Sequence, residues 1–183
     1  MNNCPIVWVV IGVSGSGKTS VGRLFAKELE CDFLEGDRRH PLSNVKKMNS
    51  RQPLAAEDRL PWLLELENDI RQAIGKNRET VMTCSALKAS YRKQLTSLGR
   101  VQLVWLDVPI SVLKQRLEAR PKHYMRAEML NSQMAAFEPI PPEENAMIVN
   151  GDLPLDTVVS ELMAEVIRRF PSMEKPWWER CME

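Results

Sequence analysis

Eight contiguous residues carry chemistry that can be read directly. Gly12-Val13-Ser14-Gly15-Ser16-Gly17-Lys18-Thr19 fit the spacing G-x-x-x-x-G-K-[ST] and follow the apolar run Ile6-Val7-Trp8-Val9-Val10-Ile11. A buried strand that turns through glycines into a helix N-terminus brings successive backbone N–H groups to one point, where a polyphosphate can accept them. Gly12, Gly15 and Gly17 are expected to take positive φ and let the backbone approach the anion. Lys18 reaches the β- and γ-phosphates, and the Thr19 hydroxyl is placed to ligate Mg²⁺. The implied ligand is a nucleoside triphosphate with magnesium. An acidic pair, in Glu35-Gly36-Asp37, closes the next predicted strand. Side chains two apart on an extended segment share a face, so both carboxylates are expected to face the γ-phosphate, one assisting the metal and the other accepting a hydroxyl proton.

The rest of the chain reads as the frame for these groups. A helix is expected over Ser20 to Leu29, with Val21, Leu24, Phe25 and Leu29 on one face, and a short strand over Cys31 to Leu34. Further apolar runs at Val81 to Cys84, Val101 to Leu106 and Met147 to Val149 read as strands, with helical patterns at Leu60 to Ile74, Ala89 to Leu98, Ile110 to Ala119 and Leu155 to Phe170. Strands and helices that alternate in this way form a five-stranded parallel sheet covered on both faces, a three-layer α/β/α fold with ligands at the carboxyl ends of the strands. Residues 38–62 break the periodicity and suit a substrate-facing excursion. Residues 171–183 form a tail whose Trp177-Trp178 pair reads as a packing anchor, on this domain or on a partner subunit.

Length and charge narrow the class. A chain of 183 residues suits one domain, 1–183, and its 25 basic and 24 acidic residues leave a net charge of +1. With no field of one sign, a small soluble substrate is the expected partner, with no nucleic acid and no membrane. No stretch reads as a membrane span or signal peptide, which gives a cytoplasmic expectation. Cys4, Cys31, Cys84 and Cys181 are widely spread and read as reduced thiols. No N-K-x-D segment is present to read a guanine base, and the run Thr80-Val81-Met82-Thr83-Cys84 ends without an Asp. Both absences point to a small-molecule kinase.

Several segments, in order, resemble the gluconate kinase family. They are the phosphate loop; Glu35-Gly36-Asp37 with His40-Pro41; Asn44-Val45-Lys46-Lys47-Met48; Pro53-Leu54; Glu57-Asp58-Arg59-Leu60-Pro61-Trp62-Leu63; Cys84-Ser85-Ala86-Leu87-Lys88-Ala89-Ser90-Tyr91-Arg92; and Ser132-Gln133 leading to Glu138-Pro139. The resemblance covers nearly the whole chain. It implies a fold like that of nucleoside-monophosphate and shikimate kinases, with a helical lid at about 116–136. It also implies a homodimer, with transfer of the ATP γ-phosphoryl group to D-gluconate.

A linear polyol acid needs a cation for its carboxylate, hydrogen-bonding groups for its hydroxyls and a base at the terminal hydroxyl. Arg59, Lys88 and Arg92 are the cationic candidates, with Arg favoured for a bidentate contact. Asp37 is the chosen base, Glu35 the metal-side carboxylate, and His40 and His123 are candidate contacts to substrate. Arg116 and Arg120, four apart, are expected to swing over the phosphates from the lid, or else to pair with Glu118 or Glu128. Three positions depart from the family pattern: Arg38 and Ala56 stand where acidic residues are usual, and Lys122 where the lid has glycine. Competing readings keep the kinase chemistry with another hydroxy acid such as shikimate, or a nucleotide-binding protein that has lost catalysis.

Overall fold

The computed structural model describes residues 5–50, 52–119 and 127–180. Five strands, β1 (Val7–Ile11), β2 (Asp32–Glu35), β3 (Thr80–Cys84), β4 (Val101–Asp107) and β5 (Met147–Asn150), form one sheet in the order β2-β3-β1-β4-β5. Every pairing is parallel. β1 and β3 are buried along their whole length, as the unbroken apolar runs required.

Alternation along β1 divides the core in two. Val7, Val9 and Ile11 face α3 (Ala56–Gly75), α4 (Ala89–Thr96) and α5 (Ile110–Glu118), through Trp62, Leu66, Ile70, Leu95, Leu113 and Leu117. Trp8 and Val10 face α1 (Lys18–Glu28) and α7 (Leu155–Arg169), through Val21, Phe25, Val158, Leu162 and Val166. Two of the remaining helices, α2 (Leu42–Asn49) and α6 (Ala127–Ala136), flank the carboxyl end of the sheet.

Register sets the site. Ile11 lies level with Cys84 and Trp105, and Glu35 with Thr83. The first residues beyond β1, β2 and β3 therefore emerge side by side at one edge: the phosphate loop, the turn Gly36–Arg39 and Ser85.

Several boundaries differ from expectation. α1 begins at Lys18 because the loop runs directly into it, with Gly17 as N-cap at φ 92°. α3 begins at Ala56, four residues before Leu60, where Asp58 accepts the Ala55 backbone N–H at 2.9 Å. α2 occupies part of the excursion read as irregular. The tail packs on its own chain, since Trp177 donates to the Glu30 carbonyl at 3.1 Å and Arg180 pairs with Glu79, which also accepts from Trp8 Nε1 at 2.7 Å. α8 (Trp177–Arg180) thus closes the amino end of the sheet.

Candidate active site

The phosphate loop has its expected shape with one correction. Gly15 and Gly17 adopt φ 87° and 92°, a region open to glycine at little steric cost, whereas Gly12 is outside that region. Space is tight at Gly12 instead: a Cβ there would lie 2.6 Å from Ser16 Oγ, and that side chain would have to turn away. At the loop's end Lys18 Nζ donates to the Val13 carbonyl at 3.2 Å, and Thr19 Oγ1 donates to Glu35 Oε1 at 2.6 Å.

Glu35 and Asp37 do not share an extended segment. Glu35 ends β2, whereas Asp37 lies within the 3₁₀ turn Gly36–Arg39, so they meet different partners. Glu35 sits by Thr19 with Arg38 Nε 3.0 Å and Arg23 Nη2 3.8 Å away. Asp37 accepts from the Ser85 backbone N–H and the Ser85 hydroxyl, both at 3.0 Å, and lies 3.8 Å from Lys18 Nζ. Ser85 was not among the expected site residues. Its sequence signals were its place directly after the third apolar strand and its position in the Cys84 to Arg92 segment that carries the family resemblance.

A cavity of about 1200 Å³ opens between the loop and the excursion, large enough for triphosphate and a second small substrate. Its lining includes Ser14, Gly15, Gly17, Lys18, Thr19, Glu35 and Asp37, together with His40, Arg59 and Lys88. Arg59 is anchored by Nη1 to the carbonyls of Leu54 (2.6 Å) and Ala55 (3.4 Å). His40 stacks on Trp62, with centroids 4.7 Å apart at 10°, and burial holds its pKa below the ordinary histidine value, with Asp37 opposing and Arg59 assisting. Gln133 of α6 also reaches the loop, its Oε1 accepting the Ser14 N–H at 2.7 Å. Arg38 lines the rim and pairs with Glu35, while Ala56 opens α3 at the cavity wall.

Arg92 is a correction. It is fully buried and its five N–H donors are all committed: to both oxygens of Glu144 (2.5 and 2.7 Å) and to the carbonyls of Leu87 (2.9 Å), Glu138 (3.1 Å) and Pro139 (3.1 Å). It clamps the segment after α6 to the loop after β3 and does not line the cavity. Arg116 lies beside the phosphate loop, 3.5 Å from the Ser16 carbonyl, and its ion-pair partner is Asp152 at 3.8 Å rather than Glu118. Arg120, Lys122 and His123 lie outside the described residues. Cys84 is fully buried behind Ser85, and burial, then Asp37, pushes its thiol up to about 12, which leaves it inert at neutral pH.

The donors fit a magnesium–nucleotide complex. Among the described residues no group of three or more His, Cys, Asp or Glu is placed to hold a metal ion. What the site offers is one hydroxyl and one carboxylate in contact, Thr19 and Glu35, at the mouth of a phosphate loop. Mg²⁺ is usually held in that way, by one or two protein oxygens with substrate phosphates and several waters filling the rest of its shell.

Comparison with known proteins agrees with this geometry. A family model described as an AAA domain matches residues 7–140. The chain is 41% identical over 160 residues to the gluconokinase of Gluconobacter oxydans (strain 621H), covering 87% of this chain and 90% of that one. It is 38% identical over 166 residues to the thermoresistant gluconokinase of Escherichia coli (strain K12), covering 89% and 94%. The crystal structure of a gluconokinase from Sinorhizobium meliloti 1021 superposes with a TM-score of 0.81 at 36% identity, covering 93% of this chain and 96% of that one.

Proposed function

The chain belongs to the gluconokinase family of P-loop kinases, and from that membership we propose that it transfers the γ-phosphoryl group of ATP to the 6-hydroxyl of D-gluconate. The observation that carries this reading is the meeting of Lys18 and Asp37, 3.8 Å apart, between the phosphate loop and the cavity wall that holds Arg59 and Lys88. A phosphate-binding cation and a proton acceptor face each other where donor and acceptor must join.

In this reading the loop amides and Lys18 hold the triphosphate. The hydroxyl oxygen bonds to the γ-phosphorus, the bond from that phosphorus to the bridging oxygen breaks, and ADP leaves. The hydroxyl proton passes to Asp37, which Ser85 holds by two hydrogen bonds. Arg59 is assigned the substrate carboxylate and Lys88 a supporting charge. Thr19 and Glu35 are assigned to magnesium, which supplies charge neutralisation at the phosphates when bound with the nucleotide. Arg116 and Arg120 are assigned to the phosphates from the lid side, and His40 and His123 to substrate. The finer family expectations are a homodimer working in the cytoplasm with Mg²⁺. Among the described residues no helix is long and apolar enough to cross a membrane.

A coupled ADP-release assay with a panel of hydroxy acids tests the proposal. ADP release should depend on D-gluconate and on Mg²⁺. Release at the same rate without gluconate, or faster with shikimate, defeats the assignment.

A further inference from the structure

Asn44 has no chemistry of its own to offer a kinase, yet it is one of the most deeply buried polar residues beside the cavity. Its Nδ2 donates to the Asp58 carbonyl at 2.6 Å, which fixes which end of the amide faces that oxygen. The same nitrogen lies 3.2 Å from His40 Nδ1. An amide nitrogen has two hydrogens and no lone pair to offer, so with one hydrogen on Asp58 the other points to His40, and Nδ1 must be the bare, accepting nitrogen. That geometry calls for a neutral ring with its proton on Nε2. Three further contacts hold the arrangement: Trp62 stacks on the ring, Trp62 Nε1 is tied to the Gly36 carbonyl at 2.9 Å, and Lys47 bonds Asp58 at 2.6 Å. The charged groups acting on the ring are Asp37, from the preceding turn, and Arg59, from α3.

We propose that Asn44 is a positioning residue that holds His40 as the neutral Nε2–H tautomer, so that the ring offers a hydrogen-bond donor without charge to a hydroxyl oxygen of the bound polyol acid. This deepens the reading of the cavity given above and rests on it. The consequence is a division of labour. Arg59 and Lys88 meet the carboxylate by charge, and His40 reads a hydroxyl without competing for that carboxylate.

Long-range ¹H–¹⁵N NMR on protein labelled at histidine tests the proposal without any substitution in the protein observed. The chain has 2 histidines, and His40→Gln identifies the signals of His40. Near neutral pH the His40 ring should carry its proton on Nε2, with Nδ1 bare, and D-gluconate added with a non-hydrolysable ATP analogue should shift the Nε2 signal. An Nδ1–H or imidazolium ring in the wild type overturns the tautomer. An Nε2 signal unmoved by gluconate in an enzyme that turns gluconate over overturns the contact.

Asn44→Asp, which replaces the donor by a charged acceptor, should put a proton on Nδ1 and raise the ring's pKa, so that Nε2 is bare only where the pH exceeds that raised value. There KM for gluconate should rise roughly 3- to 10-fold, the worth of one neutral hydrogen bond, with kcat and KM for ATP nearly unchanged. The defect should narrow as the pH is lowered, because a protonated ring regains its Nε2–H. A KM defect that does not vary with pH overturns the positioning role. A wild type that neither binds nor turns over gluconate defeats the substrate reading instead, and the spectrum still decides the tautomer.

Discussion

The ammonium group of Lys18 lies 3.8 Å from Oδ2 of Asp37. One residue opens α1 at the end of the phosphate loop; the other sits in the turn that follows β2. Sheet register brings them together, because β1 and β2 both pair with β3 and end at the same edge. The contact joins the phosphate end of the cavity to the acceptor end.

Lys18→Ala should lower kcat by on the order of 10²–10³, the usual cost of removing one preorganised electrostatic contact to a transition state. The fold should survive, since among the described residues Lys18 hydrogen-bonds only the Val13 carbonyl, and Asp37, which loses its ion contact, keeps both bonds from Ser85. Steady-state kinetics beside a circular-dichroism melt separates the two effects. Wild-type kcat in the variant would remove the phosphate loop from the chemistry.

Asp37→Asn keeps the size of the side chain and most of its bonding. The amide oxygen can accept the Ser85 N–H while the amide nitrogen faces the Ser85 hydroxyl, which can rotate to accept. What is lost is the proton acceptor and a negative charge beside Lys18. A fall in kcat of about 10²–10⁴ is expected, larger than any change in KM for ATP. Unchanged turnover would show that the loose phosphoryl-transfer transition state needs no base here.

Arg92 shows where sequence and structure part. The phosphate loop was legible because its function lies in eight contiguous residues, and the strands because parallel sheets bury continuous apolar runs. Arg92 stands in a segment with Lys88 and reads as one more cation, but its partner Glu144 is 52 residues away and nothing local announces it. The helix α2 was missed for a related reason. Only Asn44 and Met48 of its 8 residues are buried, too few to give a period, and it is held to α3 by Asn44 and Lys47 through Asp58. The Glu35 and Asp37 pair was read as extended because the turn between them follows from packing at Gly36, where a Cβ would lie 2.7 Å from Leu66 and 2.8 Å from the Thr83 carbonyl.

Arg92→Met should therefore act on stability. It leaves three carbonyls and Glu144 without their donor; Glu144 is partly exposed and can turn to water, so the cost is about 2–4 kcal/mol rather than the full price of a buried unpaired charge. Urea unfolding should show a lower midpoint at unchanged slope, with KM for gluconate little altered in the folded enzyme. A large rise in that KM without loss of stability would return Arg92 to the substrate site.

His40 gives the stability curve a sign. Its folded pKa lies below the ordinary value of about 6.5, so below that pH the unfolded chain binds a proton that the folded chain resists. Its contribution is fully present above the unfolded pKa and is lost as the pH falls toward the folded one. Thermal midpoints measured across this window should drop more steeply for the wild type than for His40→Gln. Parallel curves would mean that the ring titrates alike in both states.

Arg59→Met tests the carboxylate contact most directly. The substitution keeps much of the apolar stem and deletes the guanidinium, which is anchored at the cavity wall by the Leu54 and Ala55 carbonyls. KM for gluconate should rise by the equivalent of roughly 2–4 kcal/mol, with KM for ATP little changed, as for a charged hydrogen bond whose partner is left unpaired. The informative control is the uncharged polyol with the same terminal hydroxyl. Wild type should discriminate strongly against it, because a site built for an anion leaves Arg59 and Lys88 unmatched by a neutral chain. Arg59→Met should treat acid and polyol more nearly alike. If discrimination is untouched, the carboxylate is bound elsewhere, and Lys88 becomes the better of the expected cations, with Arg38 also lining the cavity among the described residues.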